Sequence, residues 1–324
     1  MGQVKLSRRM KQLIARIGYY GICYPFQYFL LRIGLLSEIP VVKRKESHYH
    51  LLTEKQLPSE LEKWYHAATG EKLDLSNPVT FTQKIQWSKI YDKNPLRTTL
   101  SDKYAVRKWV ADMIGQEYLT PLLGVWDSFE KIDFSKLPSQ YVLKCTHGTH
   151  CNMIVRNDKP LDYELAKSKF NTWIKKNYAY ISFEMQYKDI PPRIIAEEYM
   201  ENGVNDLYDY KFHCFGGKVV YIDFLMDRNH GLRDAIRGRN WEKLPFTDDD
   251  IPVDEEIEKP ENLEKMVEIA EKLSSSFPYV RVDLYRLNDG SIRFGEMTFT
   301  PAGGGQNYNP RSTDYELGKL WKMG

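Results

Sequence analysis

Three stretches between residues 51 and 135 carry apolar residues at helical spacing: SELEKWYHAATG, TFTQKIQWSKIYD and LSDKYAVRKWVADMIG. Ser59 would cap the first and Gly70 would stop it. Ser101 or Asp102 would cap the third, with Gly115 as its terminator. After residue 135 the texture changes. QYVLKC (140–145) and CNMIVRN (151–157) are β-rich runs, and DYELAKSKFNTWIKKNYA (162–179) reads as a helix. RIIAEEYM (193–200), YKFHCFGGKVVYIDFLMD (210–227), YVRVDLYRL (279–287) and SIRFGEMTF (291–299) read as strands, with one more helix over 261–277. Tight turns such as Gly216-Gly217 join neighbouring strands and single helices alternate with them. The pattern predicts an α+β fold with antiparallel sheets, not a doubly wound parallel sheet. No internal repeat or low-complexity segment occurs.

The 324 residues are enough for two or three lobes, and 42% apolar with 13% aromatic content is that of a globular protein, so disorder is not the default. Four cysteines are scattered (Cys23, Cys145, Cys151, Cys214) and no signal-peptide cleavage pattern precedes them. The expected compartment is therefore the reducing cytoplasm. The net charge of +2 is uneven: Lys5, Arg8, Arg9, Lys11, Arg16 and Arg32 fall within residues 1–37, which hold no acid. Nucleic-acid binding wants basic charge spread over a folded face with stacking aromatics, so it is not expected. The following stretch, IGYYGICYPFQYFLLRIGLL (17–36), is interrupted by Pro25, Gln27 and Arg32. It is not the run of about 20 clean apolar residues that a bilayer span needs. It suits either a helix lying at the inner face of the cell membrane or one packing on the domain.

The stretch YVRVDLYRLNDGSIRFGEMTF holds the most chemistry. NDGS between two alternating runs signals a hairpin, with Asp289-Gly290 as a two-residue turn. Asn288 would then face Ser291, Leu287 would face Ile292, and Asp283 would face Glu296, with Arg281 and Thr298 as the next same-face pair. Like charges directly opposite are destabilising, so something positive should hold them. One reading is a surface ladder neutralised by Arg281. The other is a hard divalent cation, Mg²⁺, held by both carboxylates and by a ligand's phosphates. A slip of one residue would put the pair on opposite faces. Lysines that could serve such phosphates are Lys144, which ends a strand before a loop containing Gly148, Lys103 in SDKYAVR, and Lys211 in DYKFH. No Walker signature and no G-x-G-x-x-G occurs.

Other features carry less. Cys145, His147, His150 and Cys151 crowd one short loop with no second zinc knuckle, which argues against a tetrahedral metal site. His213 and Cys214 suit core packing. Arg228, His230, Arg233, Arg237 and Arg239 would share a polar loop fit for an anionic substrate or simply solvated. DDDIPVDEEIE (248–258) is a solvated connection without the ligand spacing of a calcium loop.

A lysine in the first hairpin, then IIAEEYM, DYKFHCFGGKV, RVDLY and FGEMTFTPAGG, appear in fixed order. This ordered set resembles the ATP-grasp superfamily over roughly residues 75–320, and specifically its TupA-like branch, associated with teichuronopeptide and surface-polysaccharide biosynthesis. The resemblance implies an ATP-grasp fold in which two α+β lobes, 136–200 and 201–324, clamp ATP. A mainly helical domain (51–135) and the basic, aromatic segment 1–50 would precede them. It implies that Lys144 contacts the α/β-phosphates and that Lys103 reaches the nucleotide or a substrate phosphate, with the Gly148 loop as a phosphate cover. Glu197, Glu198 and Tyr199 would form the hinge that reads adenine and ribose. Lys211 would act on the phosphate side, and Asp283 and Glu296 would hold magnesium. Thr298 stands where the family usually has a third ligand, Asn. Gly303 and Gly304, in TPAGGG, would bind a substrate carboxylate, and Arg228, beside Asp227, would serve the acceptor or the γ-phosphate.

The activity so implied is ATP-dependent ligation of a carboxylate to an amine through an acyl-phosphate. Its acid would be an anionic saccharide or a lipid-linked glycan carboxylate, with a uronic acid and an amino acid as partners. A glycosyltransferase is the competing class, but no D-x-D loop supports it. A catalytically idle ATP-binding module is a third.

Overall fold

A computed structural model describes residues 7–33, 35–36, 38–200, 207–226, 233–248 and 256–323. The chain opens with helices: α1 (Arg8–Tyr20), α2 (Tyr24–Arg32), α3 (Pro40–Tyr49), α4 (Leu57–Thr69), α5 (Phe81–Tyr91), α6 (Pro95–Ser101) and α7 (Val106–Ile114). α4 begins at Leu57 with Pro58 in its first turn, so Ser59 lies inside the helix and not at its cap. Gly70 does end it, in the left-handed region. The single helix expected over 100–115 is two. Asp102 closes α6, and its carboxylate accepts from Tyr104 N–H (2.8 Å), turning the chain before α7 starts.

Strands β1 (Leu122–Trp126), β2 (Tyr141–Cys145), β3 (Asn152–Val155) and β4 (Ile194–Glu198) form one antiparallel sheet in the order β1-β4-β2-β3. The helices α8 (Tyr163–Trp173) and α9 (Ala179–Ser182) lie between β3 and β4 in sequence. Ala166 and Phe170 of α8 pack on Leu143, Ile194 and Ala196 of the sheet. The elements that follow are β5 (Tyr208–Phe215), β6 (Lys218–Met226), β7 (Arg233–Gly238), β8 (Thr247–Asp248), α10 (Leu263–Ser274), β9 (Tyr279–Arg286), β10 (Ile292–Thr298), β11 (Tyr308–Asn309) and α11 (Ser312–Leu320), and a second antiparallel sheet forms among the strands. Five of these strands run β10-β9-β5-β6-β7, while β8 and β11 pair separately.

Alternation along these five strands separates two faces. Phe212, Cys214, Val280, Val282 and Leu284 pack with Met266, Val267, Ala270 and Leu273 of α10 in a core that also takes Leu100, Val106 and Val110 from α6 and α7. Each such aliphatic side chain contributes about 1.5–3 kcal/mol on burial. The opposite face carries Phe215, Tyr221 and Tyr279, packed with Phe81 and Ile85 of α5 and Trp321; beyond these aromatics it carries charge. His213 and Cys214 are both buried, on opposite faces, as core packing requires. β7 departs from the sequence expectation: RDAIRG is a strand with Asp234–Gly238 buried, not a polar loop. Arg228 and His230 lie outside the described residues, as does 249–255 of the acidic run.

Candidate active site between the two sheets

The charged face of the five-stranded sheet meets the four-stranded sheet across a cavity of about 690 Å³. Its floor is ordered by register. Glu296 faces Asp283, Asp283 faces Lys211, and Lys211 faces Asp223, on β10, β9, β5 and β6. Two residues along the same strands stand Asp209 and Tyr285, which pair with each other. The carboxylate pairing expected from the turn is present, but the turn is not the one expected. Asn288–Gly290 is a three-residue loop: Leu287 N–H donates to Ser291 O (2.9 Å) and Gly290, at φ +82°, takes the left-handed position. Leu287 and Ile292 therefore do not face each other; Ile292 faces Arg286. A bulge at Gly295 then restores the register, so Asp283 faces Glu296 and Arg281 faces Thr298.

Arg281 clamps the pair. Its Nε and one terminal nitrogen donate to the two oxygens of Asp283 (2.7 and 2.6 Å), and that terminal nitrogen also reaches Glu296 Oε1 and Thr298 Oγ1 (both 3.1 Å). Thr298 Oγ1 donates to Glu296 Oε1 (2.7 Å). The two carboxyls differ in proton affinity. Burial, with Asp209 and Glu296 nearby, pushes Asp283 up to about 7 against the pull of Arg281. For Glu296, burial is outweighed by Lys103, Arg281, the Thr298 hydroxyl and Lys211, which hold it down at about 2.

This donor set fits a hard divalent cation. Each Asp283 oxygen accepts one hydrogen bond and keeps a lone pair, and the Glu296 side chain is 38% exposed toward the cavity. The surrounding wall has an acid surplus: Asp209, Asp223 and Asp234 join the pair against Arg281, Lys103 and Lys211. Asp223 Oδ1 is buried with no hydrogen-bond partner among the described residues, and its other oxygen is 3.8 Å from Lys211 Nζ. Two carboxylates leave further positions for phosphate oxygens and water, the usual division for Mg²⁺.

The other lysines converge from the facing elements. Lys103 Nζ donates to Gly148 O (2.8 Å) and lies 3.9 Å from Glu296 Oε2, so it links the loop after β2 to the carboxylate pair. Gly148 is required at its position, because a Cβ would come within 2.4 Å of the Tyr178 ring. In that loop His147 Nε2 lies 3.2 Å from Trp173 O, the Cys151 thiol meets the Tyr178 hydroxyl, and Cys145 is buried at the strand end. Thr149 and His150 are exposed on the cavity. The cysteines and histidines that crowd the sequence thus face different ways.

Lys144 Nζ donates to Glu197 Oε2 (2.7 Å), and Arg107 donates to Glu197 Oε1 (2.7 Å) and to Thr120 O (2.7 Å). Glu197 is buried and lines the cavity, whereas Glu198 is exposed on the other side of β4, with its N–H on Pro121 O. Tyr199 stands beside Arg156. Gly303 lines the cavity; with Ala302 and Gly304 it takes positive φ, and Lys89 and Gln86 of α5 bond the Gly303 carbonyl (2.6 and 3.0 Å). Lys103, Lys144, Lys211, Glu197, Asp283, Glu296 and Gly303 therefore share one cavity. Gly148 touches it through Lys103, Gly304 stands beside Gly303, and Glu198 and Tyr199 lie off its lining. Sequence reasoning missed Arg107, Asp209 and Asp223. Arg107 lies in α7 just after the turn that carries Lys103, and Asp209 precedes Lys211 by two on β5, so strand spacing held the signal for Asp209.

The profile of the TupA-like ATP-grasp family matches residues 83–322. No curated protein matches the chain. Among solved structures, an L-amino acid ligase from Bacillus licheniformis is 14% identical, with 69% of this chain and 49% of that one covered and a TM-score of 0.41. D-alanine–D-alanine ligase from Bacillus anthracis complexed with ATP is 16% identical, with 62% and 55% covered and a TM-score of 0.37. A biotin carboxylase complex from Campylobacter jejuni is 14% identical, with 62% and 40% covered and a TM-score of 0.39. The chain spans about half the length of these structures. By the profile match, which runs from α5 through α11 and takes in both sheets, the chain belongs to the TupA-like ATP-grasp family.

Proposed function

We propose that this chain is an ATP-dependent carboxylate–amine ligase of cell-surface polysaccharide assembly, joining an amino acid to a uronic acid through an acyl-phosphate. Support comes from one juxtaposition: the Asp283–Glu296 pair meets Lys103, Lys144, Lys211 and the Gly303 segment in a single cavity. Lys144 and Lys211 would hold phosphate oxygens, and Lys103 would hold the Gly148 loop over them. Glu197 would take the ribose hydroxyls. The Glu198 N–H is committed to Pro121, so Tyr199 and Met200 are left to read the adenine edge. Gly303 and Gly304 would hold the acid, and Arg228 the acceptor or the γ-phosphate. Mg²⁺ bound by Asp283 and Glu296 would neutralise charge on the phosphates.

The acid's carboxylate oxygen attacks the γ-phosphorus, the bond to the bridging oxygen breaks and ADP leaves. The amine then adds to the acyl carbon, phosphate departs with the electrons of the C–O bond, and the nitrogen gives up a proton. The protein contributes position and charge rather than a nucleophile. The setting would be the cytoplasmic side of the cell membrane, where a lipid-linked glycan carboxylate is met. Incubation with ATP, Mg²⁺ and candidate acid–amine pairs tests this by ADP and phosphate release. ADP formation that requires both substrates is expected. Sugar-nucleotide consumption without ATP would mark a transferase, and ATP binding without turnover an idle module.

A further inference from the structure

α1 is mounted on the domain by its polar side. Tyr19 Oη bonds Tyr49 Oη (2.5 Å) and donates to Glu60 (2.8 Å), Arg16 Nε donates to Ala67 O (3.3 Å), and Ala15 is the buried residue of the helix. Its apolar residues point away. Met10, Leu13 and Ile14, at helical spacing, are 46, 40 and 53% exposed. The stripe continues from Ile22, before α2, through Phe26 and Phe29 of α2 to Ile33 at its C-cap, at intervals of four, three and four, and these are 84, 64, 57 and 51% exposed. A surface helix ordinarily buries its apolar stripe and shows its charges to water; here the apolar stripe is exposed together with Arg9, Lys11 and Arg32. More than half of the exposed large apolar side chains among the described residues lie between positions 10 and 35.

Charge selects the occupant. Arg8, Arg9, Lys11, Arg16 and Arg32 accompany the stripe in a segment, 1–37, that contains no acid. A second copy seated face to face would bring two such basic segments together. No helix among the described residues is long and apolar enough to cross a membrane. We propose that the α1–α2 face docks on the surface of an anionic lipid bilayer. The apolar stripe would enter the headgroup–acyl boundary and the basic side chains would meet lipid phosphates.

Co-sedimentation of the full chain with vesicles tests this without any turnover, so its outcome and that of the ligase assay are separate results. Wild type should pellet with phosphatidylcholine vesicles containing about 30% phosphatidylglycerol, and about tenfold less with phosphatidylcholine alone or in high salt. Phe26→Glu/Phe29→Glu should lower the bound-to-free ratio at least about tenfold with an unchanged melting temperature, because both side chains are already in water. Lys11→Glu/Arg32→Glu, which leaves the stripe intact, should abolish the preference for anionic over neutral vesicles. Equal binding by wild type and both variants would overturn the proposal, as would no binding to anionic vesicles. So would a wild-type dimer that becomes monomeric in Phe26→Glu/Phe29→Glu, which would assign the face to a second copy.

Discussion

Single residues at this site get their roles from the strand pleat. Glu197 and Glu198 are neighbours in the chain, but successive side chains on β4 point to opposite faces. One is therefore buried between Lys144 and Arg107 while the other meets solvent. The same alternation separates His213 from Cys214. His213 stacks on Tyr221 (ring centroids 4.0 Å apart) and its Nδ1 lies 3.0 Å from Tyr279 Oη. Burial, with Arg281 and Lys211 on the same face, holds its imidazole well below the usual range. The unfolded chain binds that proton near pH 6.5 and the folded chain does not, so the stability tied to His213 is present above about pH 6.5. It is lost as pH falls, by about 1.4 kcal/mol per unit. His213→Gln keeps a hydrogen-bonding partner for Tyr279 without the titration. Urea midpoints from pH 7.5 to 5 should fall more steeply in wild type than in this variant; parallel slopes would refute the assignment. Which strand residues share a face was legible because period-two alternation assigns faces from sequence alone. What alternation could not show is which elements become neighbours: Lys144 on β2 lies beside Glu197 on the adjacent β4 and Arg107 comes from α7, so their ties to Glu197 were hidden.

Elements were legible where their ends carry strong local signals, and misread where tertiary context decides. The β9–β10 hairpin gave the right carboxylate pair through two compensating departures: a loop one residue longer than expected, and a bulge at Gly295 that returns the strands to step. The β7 sequence reads as a polar loop because Arg233, Asp234 and Arg237 obscure its short apolar pair, Ala235 and Ile236; pairing with β6 supplies the strand. A third element-level feature had no sequence signal. The side chain of Lys89, in the last turn of α5, is buried against Gln86 Oε1 (2.8 Å), Ser182 O (2.8 Å) and Gly303 O (2.6 Å), with its ammonium over the Trp64 ring. Three acceptors around one nitrogen match the three donors of an ammonium. Lys89 thus pins the Ala302–Gly304 turn, whose positive φ angles need an external restraint. Lys89→Met should cost about 2 kcal/mol by leaving those acceptors buried and unpaired. It should also raise the KM for the acid several-fold, with a smaller change in kcat. An unchanged KM would mean that the turn holds itself.

At the scale of the whole molecule, two antiparallel sheets face one cavity, and helices from the N-terminal half complete both the cores and the site. α6 and α7 pack under the five-stranded sheet, while Lys103 and Arg107, from the turn between them and from α7, reach into the cavity. Residues far apart in sequence thereby bring positive charge to a floor rich in carboxylates, the arrangement a triphosphate with a divalent cation requires. The α1–α2 stripe lies outside the matched residues 83–322 and serves a different surface. In the proposed reaction, Asp283 and Glu296 would bind a cation that ATP shares. Calorimetric titration of ATP with Mg²⁺, and again with a chelator, tests it on wild type and on Asp283→Asn. Mg²⁺ should tighten ATP binding by wild type at least about tenfold. Asp283→Asn should keep its far-ultraviolet circular dichroism and lose that enhancement. Equal enhancement in the two proteins would mean that Asp283 holds no cation shared with ATP.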